Sequence, residues 1–140
     1  MKDSSQVENI KDPVEEARRY VRNAKDILDI NGKLDPEFRF YEDSKYVKMA
    51  GNTLWNGVLL ILDAVFHVKA NDGSRPDIRD YQKAVAARDR KLLTFINAGY
   101  DSMHLSMGCD GYQSKIACQE AIRLANDIID RCATMLTPSS

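Results

Sequence analysis

The amino-acid sequence predicts an all-α protein that folds as an up-and-down four-helix bundle. The stretch from Leu54 to Val68 is apolar at almost every helical angle, which is typical of a helix in the centre of a protein. Apolar residues recur at spacings of three and four on both sides of that stretch. Segments that contain Pro or Gly separate these periodic stretches, so we expect helices at roughly 12–31, 44–70, 76–107 and 111–134.

The chain has the size and composition of one globular domain. Its 140 residues can bury one continuous core, so we assign 1–140 to a single domain with flexible tails at 1–10 and 136–140. The 20 basic and 21 acidic side chains are mixed along the chain and leave a net charge of −1. Nucleic-acid-binding surfaces usually carry a basic stripe, so charge does not support nucleic acid as a partner.

Cysteine content and hydropathy indicate the compartment. Cys109, Cys118 and Cys132 lack the close paired spacing of a disulfide framework or a zinc site. The first twelve residues contain no apolar signal core, and the longest apolar run, Val58 to Leu62, is far too short to span a bilayer. We therefore expect a cytoplasmic protein without a membrane segment, a metal or a cofactor.

The first helix has a clear start and a clear end. Asp12 is a suitable N-cap, Pro13 fits the first helical position, and a glutamate follows three residues after the cap. Gly32 is well placed to end the helix. In the connector of residues 33–43, Asp35 fits the start of a short helix that leads into the central one, and the pattern leaves open whether the two are continuous.

Turn residues also bound the later helices. The central helix ends before the turn signal at 71–73, and Ser74 or Arg75 caps the third helix, which is interrupted or bent near Gly99. Glycines at 108–111 separate it from the fourth helix. The fourth helix has two adjacent apolar faces, Ala117-Ala121-Leu124-Ile128 and Cys118-Ile122-Ala125-Ile129, so one face can serve the core and the other a partner.

A stripe of polar side chains interrupts the apolar central helix. Asn52, Asn56, Asp63 and His67 fall within about 60° of one another at 100° per residue. Asp63 and His67 are one turn apart and can form a hydrogen bond that raises the pKa of the imidazole. The stripe is either an acid–base pair that faces a cleft or simply the outer face of the helix.

Arg88 interrupts the apolar pattern of the third helix. It falls on the seam that is set by the heptad positions Ile78, Tyr81, Val85 and Leu92. A buried guanidinium needs a carboxylate partner, for which Asp63 is suitable, whereas helix drift would leave Arg88 half exposed. We expect Asp63 either to pair with Arg88 or His67 or to be exposed on the stripe beside Asn56.

The richest polar cluster lies at residues 100–112, around the bend in the third helix. It contains Tyr100, Asp101, His104, Cys109, Asp110 and Tyr112. Asp101 and His104 are three residues apart and could share a helix face as a metal pair, but spacing fixes no third ligand. Cys109 has no neighbouring base, and the glycines do not form a phosphate-binding pattern.

Two segments resemble known helical families. The first helix carries EEARRYVRNAKDIL, the central helix carries GNTLWNGVLLILDAVFHV, and two further helices follow. This layout resembles HEPN-type bundles and the substrate-binding subunits that accompany minimal nucleotidyltransferases. The stretch YEDSKYVKMAGNTLWNGVLLILDAVF is also similar to an uncharacterised bacterial family of small helical proteins, which implies no activity.

The HEPN resemblance implies a fold and a tendency to dimerise. In HEPN ribonucleases an Arg is followed by a His after about four to six residues. Here the nearest Arg before His104 is Arg90, fourteen residues upstream, and the nearest before His67 is Arg39. The sequence departs from the motif, so no catalytic residue is carried over.

We therefore expect a non-catalytic interaction or binding module, a homodimer through helix faces, with a further protein partner as an option. One alternative is a ribonuclease or hydrolase with a rearranged site, in which His104 is the acid–base and Arg88 or Arg90 stabilises phosphate charge. Another is a nucleotide-binding partner of a nucleotidyltransferase. The candidate catalytic residues are His104, Asp101 and Arg88, and the candidate binding residues are Asp63, His67, Asn56, Tyr100 and Tyr112.

Overall fold

The computed structural model of the protein describes residues 12–136, and over this range the chain is all-α apart from one small hairpin. The predicted tail 1–10 lies outside the described residues, as do residues 137–140, whereas Leu136 belongs to the last helix. The elements are α1 (Pro13–Asp26), β1 (Leu34–Asp35), β2 (Phe40–Tyr41), α2 (Ser44–Phe66), α3 (Ile78–Ala86), α4 (Arg90–Gly99) and α5 (Lys115–Leu136). Two π-helical segments, Ile27–Asn31 and Tyr100–Cys109, continue α1 and α4.

The central position predicted for the second helix is confirmed. α2 packs against α1, α5 and the second π segment, and its side chains at Leu54, Val58 and Ile61 are fully buried. Within the described range α2 is the one helix that is long and apolar enough to cross a membrane, by length and composition alone. Half of the most apolar segment of this helix is buried inside the protein, as in the core helix of a soluble protein.

α1 begins as predicted and packs closely on α2. The Asp12 side chain accepts a hydrogen bond from the backbone N–H of Glu15 at 3.2 Å, and Pro13 is the first helical residue. Gly57 of α2 permits the close approach, because a Cβ at that position would lie 2.8 Å from the Cβ of Tyr20.

α2 ends at Phe66, four residues before the predicted end. His67 adopts the left-handed conformation with φ of 50°, and its N–H donates to the carbonyl oxygen of Asp63 at 2.9 Å. A residue in this conformation stops the helical hydrogen-bond ladder. Histidine adopts positive φ more readily than a β-branched residue does, so His67 is a suitable residue for this helix end.

The connector forms a hairpin instead of the expected short helix. β1 and β2 are antiparallel, with Leu34 opposite Tyr41. The carboxylate of Asp35 accepts hydrogen bonds from the backbone N–H groups of Glu37 and Phe38 at 2.9 and 3.2 Å, so it stabilises a turn. The prediction that a helix begins at Asp35 is therefore wrong, because this aspartate stabilises the turn between two short strands.

The prediction of a single helix at 76–107 is wrong, because the helix is interrupted between Ala86 and Arg90. Asp89 caps α4 by accepting a hydrogen bond from the N–H of Leu92 at 3.0 Å, and Arg131 of α5 holds the same carboxylate at 2.6 and 3.1 Å. At Gly99, where the break was expected, the helix continues with π-helical hydrogen bonding. The described bundle therefore has five helices instead of four.

α5 begins at Lys115 instead of residue 111, and it buries both of its apolar faces within the chain. Ser114 pairs with Phe40 of the hairpin, so the residues before α5 are extended. The helix contacts α1, α2 and α4. Its buried residues come from both predicted faces: Cys118, Ala121, Leu124, Ala125, Ile128 and Ile129. Ala117 and Ile122 of these faces are only partly buried, so little of either face is left for a partner, and the partner remains a prediction.

Candidate functional site

Two glycines bring α2 and the second π segment into close contact. A Cβ at Gly51 would lie 2.5 Å from the Cβ of Met107, and a Cβ at Gly108 would lie 2.6 Å from Oδ1 of Asn52. The side-chain amide of Asn52 donates a hydrogen bond to the carbonyl of Gly108 at 3.4 Å. This contact places the side chains of the π segment against the polar stripe of α2. π-Helical turns are frequent at functional sites.

An aromatic cluster forms where the two elements meet. Trp55 of α2 contacts Tyr100 edge-on, with ring centroids 5.6 Å apart and an interplanar angle of 67°. The Tyr100 and His104 rings are 5.2 Å apart at 32°, and the Trp55 and His104 rings are 6.1 Å apart at 35°. Trp55 is almost fully buried, whereas Tyr100 and His104 are half-buried.

One nitrogen of this cluster lacks a hydrogen-bond partner among the described residues. His104 Nδ1 is buried and makes no hydrogen bond with the part of the chain that the structure describes. Burying such a group without a partner costs about 1–3 kcal/mol. Most buried polar atoms in proteins are satisfied, so an exception calls for a physical reason.

The cluster lines the first of two adjoining cavities along α2. The first has a volume of about 410 Å³ and lies between α2, the second π segment and the start of α3. The second has a volume of about 580 Å³ and extends towards the end of α2. We call the two cavities together the α2 groove; the side chains that line both include Asn56, Leu59, Arg75, Pro76 and Tyr81.

Asp63 is exposed in the groove and accepts a hydrogen bond from Tyr81. The buried Tyr81 hydroxyl donates to Oδ1 of Asp63 at 2.9 Å. Partial burial raises the pKa of Asp63, and the hydrogen bond from Tyr81 and the charge of His67 oppose that rise. Burial and the neighbouring carboxylate both raise the pKa of Tyr81, so the tyrosine keeps its proton and remains the donor.

Arg75 supplies a cation to the groove. It is exposed and forms no ion pair with any residue between 12 and 136. The neighbouring Asp77 is engaged elsewhere, because its carboxylate accepts from the backbone N–H groups of Arg79 and Asp80 and pairs with the Arg79 guanidinium at 3.3 Å. Arg75 lines both cavities of the groove, and its charge partly opposes the rise in the pKa of Tyr81.

The groove joins candidates from two distant parts of the sequence. The α2 stripe contributes Asn56, Asp63 and His67, and the π segment contributes Tyr100 and His104. The expectation that Asp63 is exposed beside Asn56 is confirmed, although its hydrogen-bond partner is Tyr81.

The other candidates lie elsewhere. Arg88 is exposed, stacks on the ring of Phe66 at 4.9 Å and donates to the carbonyl of Val65 at 3.3 Å. The predicted alternative in which Arg88 is buried and pairs with Asp63 is therefore wrong. Asp101 and Tyr112 are exposed and line neither cavity of the groove. Across residues 12–136 no three His, Cys, Asp or Glu side chains are grouped closely enough to hold a metal ion.

Several groove residues were not identified as site residues from the sequence, and three of them are central to the site. Trp55 and Tyr81 belong to the apolar pattern of their helices, and Arg75 was assigned to a helix cap. The carboxylate of Asp63 inside an apolar helix was the one useful signal, because it requires a donor. The sequence does not specify that this donor is a tyrosine 18 residues away.

The comparisons with known proteins identify relatives without assigning an activity. No protein with curated annotation matches the chain. A solved structure described as a protein of unknown function from Dyadobacter fermentans superposes with a TM-score of 0.80 and 38% sequence identity, over 89% of this chain and 96% of that chain. The predicted similarity to an uncharacterised family of small helical proteins agrees with this result. A family profile described as "Domain of unknown function (DUF5618)" matches residues 12–134. The chain therefore belongs to the DUF5618 family.

Proposed function

We propose that the protein is a non-catalytic binding module whose α2 groove takes a small ligand. The observation that carries this proposal is the convergence of two distant polar clusters, the α2 stripe and the segment with Tyr100 and His104, on one groove. The cavity of about 410 Å³ falls in the size range of small-molecule sites. The unpartnered His104 Nδ1 and the unpaired Arg75 add support.

The arrangement of these groups favours binding over catalysis. An acid–base histidine is usually oriented by a hydrogen bond to its second ring nitrogen, whereas Nδ1 of His104 has no hydrogen-bond partner among residues 12–136. The ribonuclease alternative also requires Arg88 or Arg90 near His104. Neither arginine lines the groove, and Arg88 stacks on Phe66.

A thermal-shift screen tests the proposal. The panel contains small aromatic and aliphatic compounds that are anionic, neutral or cationic, and binding is measured as a rise in Tm. Asn56→Phe fills the groove, because Asn56 lines both cavities. Met49→Phe is the matched control, since Met49 is exposed on the same helix and lines neither cavity.

We expect at least one compound to raise the Tm of the wild type and of Met49→Phe but not of Asn56→Phe. The fluorescence of Trp55, the chain's single tryptophan, should change with the same compounds. If no compound in the panel binds, or if Asn56→Phe responds like the wild type, the groove is not the binding site.

The homodimer is also a proposal, and its support lies at the hairpin and the adjoining start of α5. Phe38 and Ile116 are 69% and 63% exposed, and the pairing of Phe40 with Ser114 holds their segments next to each other. Exposed apolar side chains mark an interaction surface where they form a contiguous patch, so we propose these adjoining segments as the dimer contact. Light scattering should show a dimer for the wild type and a monomer for Phe38→Ser; a wild-type monomer would contradict the proposal.

The relation to HEPN-type bundles and nucleotidyltransferase subunits rests on the sequence pattern alone. It remains a hypothesis about a partner. A pull-down of a nucleotidyltransferase that is encoded beside this chain would support it, and a failed reconstitution from the two purified proteins would contradict it.

A further inference from the structure

We infer that the ligand of the α2 groove is a flat aromatic molecule that carries an anionic group. This inference rests on the proposed function, because it names the chemical class of the ligand for the same site. Three features of the first cavity carry it: its aromatic wall, its free amide and its unpaired cation.

The aromatic wall favours a flat ligand. Tyr100 and His104 both line the cavity and are half-buried, so part of each ring remains open to it. Their planes are 32° apart, and Trp55 and Tyr81 line the same cavity. Aromatic side chains bind flat rings by offset stacking or edge contacts, and such contacts tolerate many ring types.

The amide of Asn56 supplies polar recognition at the edge of such a ring. Asn56 is exposed in the groove, and its side chain makes no hydrogen bond within residues 12–136. An amide offers both donors and an acceptor, so it matches the mixed edge of a heteroaromatic ring. Asn52 differs, because it is already engaged by the carbonyl of Gly108.

In the first cavity, Arg75 is the charged side chain that no ion pair among residues 12–136 engages. The carboxylate of Asp77 caps α3 and pairs with Arg79, and that of Asp63 accepts from Tyr81. Arg75 has no such partner and lines both cavities. A planar guanidinium binds carboxylate or phosphate through two parallel hydrogen bonds.

Calorimetric titration of the full chain with matched probes tests this inference. AMP and 2-naphthoate combine a flat ring with a phosphate or a carboxylate. Adenosine lacks the charge, ribose 5-phosphate and cyclohexanecarboxylate lack the aromatic ring, and 2-naphthylmethylamine reverses the charge. We expect AMP or 2-naphthoate to bind at least tenfold more tightly than every probe that lacks the ring or the negative charge.

Arg75→Gln separates the charge contribution from general effects on folding. We expect it to weaken the binding of the anionic aromatic probe at least tenfold and to leave the uncharged aromatic probe unchanged. Arg90→Gln removes an exposed arginine outside the groove and should change neither value.

The outcomes distinguish this inference from the proposed function. If the tightest compound among the probes and the panel is aliphatic, neutral or cationic and still fails to bind Asn56→Phe, the ligand class is wrong and the binding site stands. If Arg75→Gln binds the anionic probe as the wild type does, the anion contact is wrong. If no compound binds at all, both the ligand class and the proposed function are overturned.

Discussion

His104 holds a buried ring nitrogen that lacks a partner in the described part of the chain, and this costs stability. A phenyl ring could make the same contacts with Trp55 and Tyr100 that the imidazole ring makes. A histidine at this position is therefore unfavourable for the folded chain on its own. The proposed function gives a reason for a histidine at this position, since His104 lines the binding groove.

His104→Phe should raise the free energy of unfolding by about 1–2 kcal/mol, because it removes the unsatisfied nitrogen and keeps the ring contacts. The same variant should lose the thermal-shift response to groove ligands. Urea unfolding followed by circular dichroism measures the first effect. A clear loss of stability would show that Nδ1 is satisfied in solution, by water for instance.

The pKa of Asp63 gives a prediction on pH dependence. Because partial burial raises this pKa in the folded state, the group's stabilising contribution is present below the unfolded pKa of about 3.9 and is lost as the pH rises through the folded pKa. Asp63→Asn keeps an acceptor for Tyr81 and removes the charge. We expect it to be as stable as the wild type at pH 7, or more stable by less than about 1 kcal/mol, since solvent screens an exposed carboxylate.

Urea unfolding of both proteins at pH 7 and pH 4 checks this prediction. The advantage of Asp63→Asn should shrink at the lower pH. If Asp63→Asn is strongly destabilised at pH 7, the carboxylate has an ionic partner that the structure does not show.

Arg88 contacts Phe66 and does not pair with Asp63. The losses of stability from Asp63→Ala and Arg88→Ala should therefore be additive.

Among the elements, the break between α3 and α4 depends most on one side chain. Asp89 caps α4 and is held by two hydrogen bonds from Arg131, so one carboxylate joins a helix start to α5. The Arg131 guanidinium holds the pKa of Asp89 below its usual range. This contribution to stability is present above the unfolded pKa and is lost as the pH falls through the folded pKa.

Asp89→Ala should destabilise the fold by about 0.5–2 kcal/mol through loss of the cap. Asp89→Asn keeps a cap acceptor but loses the charge, so its stability should lie between those of the wild type and Asp89→Ala. The difference between Asp89→Asn and the wild type should shrink as the pH falls below the unfolded pKa, because the wild-type carboxylate becomes protonated. Chemical denaturation across pH 2 to 7 measures it, and a difference that stays constant over this range would contradict the ion-pair explanation.

For the whole molecule, the features that the sequence predicted correctly are local ones. The cap at Asp12 and the apolar pattern around Val58 act through neighbours in the chain, so α1 and α2 were expected and are present. The α3–α4 break was missed because the Asp89 cap is reinforced by Arg131, 42 residues away. The hairpin was missed because each strand has only two residues.

The candidate site was predicted in pieces that the sequence could not assemble. Asn56 and Asp63 stood out as polar residues on an apolar helix, and His104 stood out in a polar cluster. Their meeting depends on the close contact at Gly51 and Gly108, which is a tertiary feature. Neither glycine signals such a contact by local spacing, so the groove itself could be seen only in the folded chain.

The most direct test of the binding groove is an NMR titration with the tightest ligand of the panel. Trp55 is the single tryptophan, so its indole N–H gives one resonance that reports on the first cavity. We predict that this resonance and the side-chain amide of Asn56 shift together and saturate at one affinity. Saturable binding that leaves both resonances unchanged, with shifts confined to the hairpin, would contradict the account.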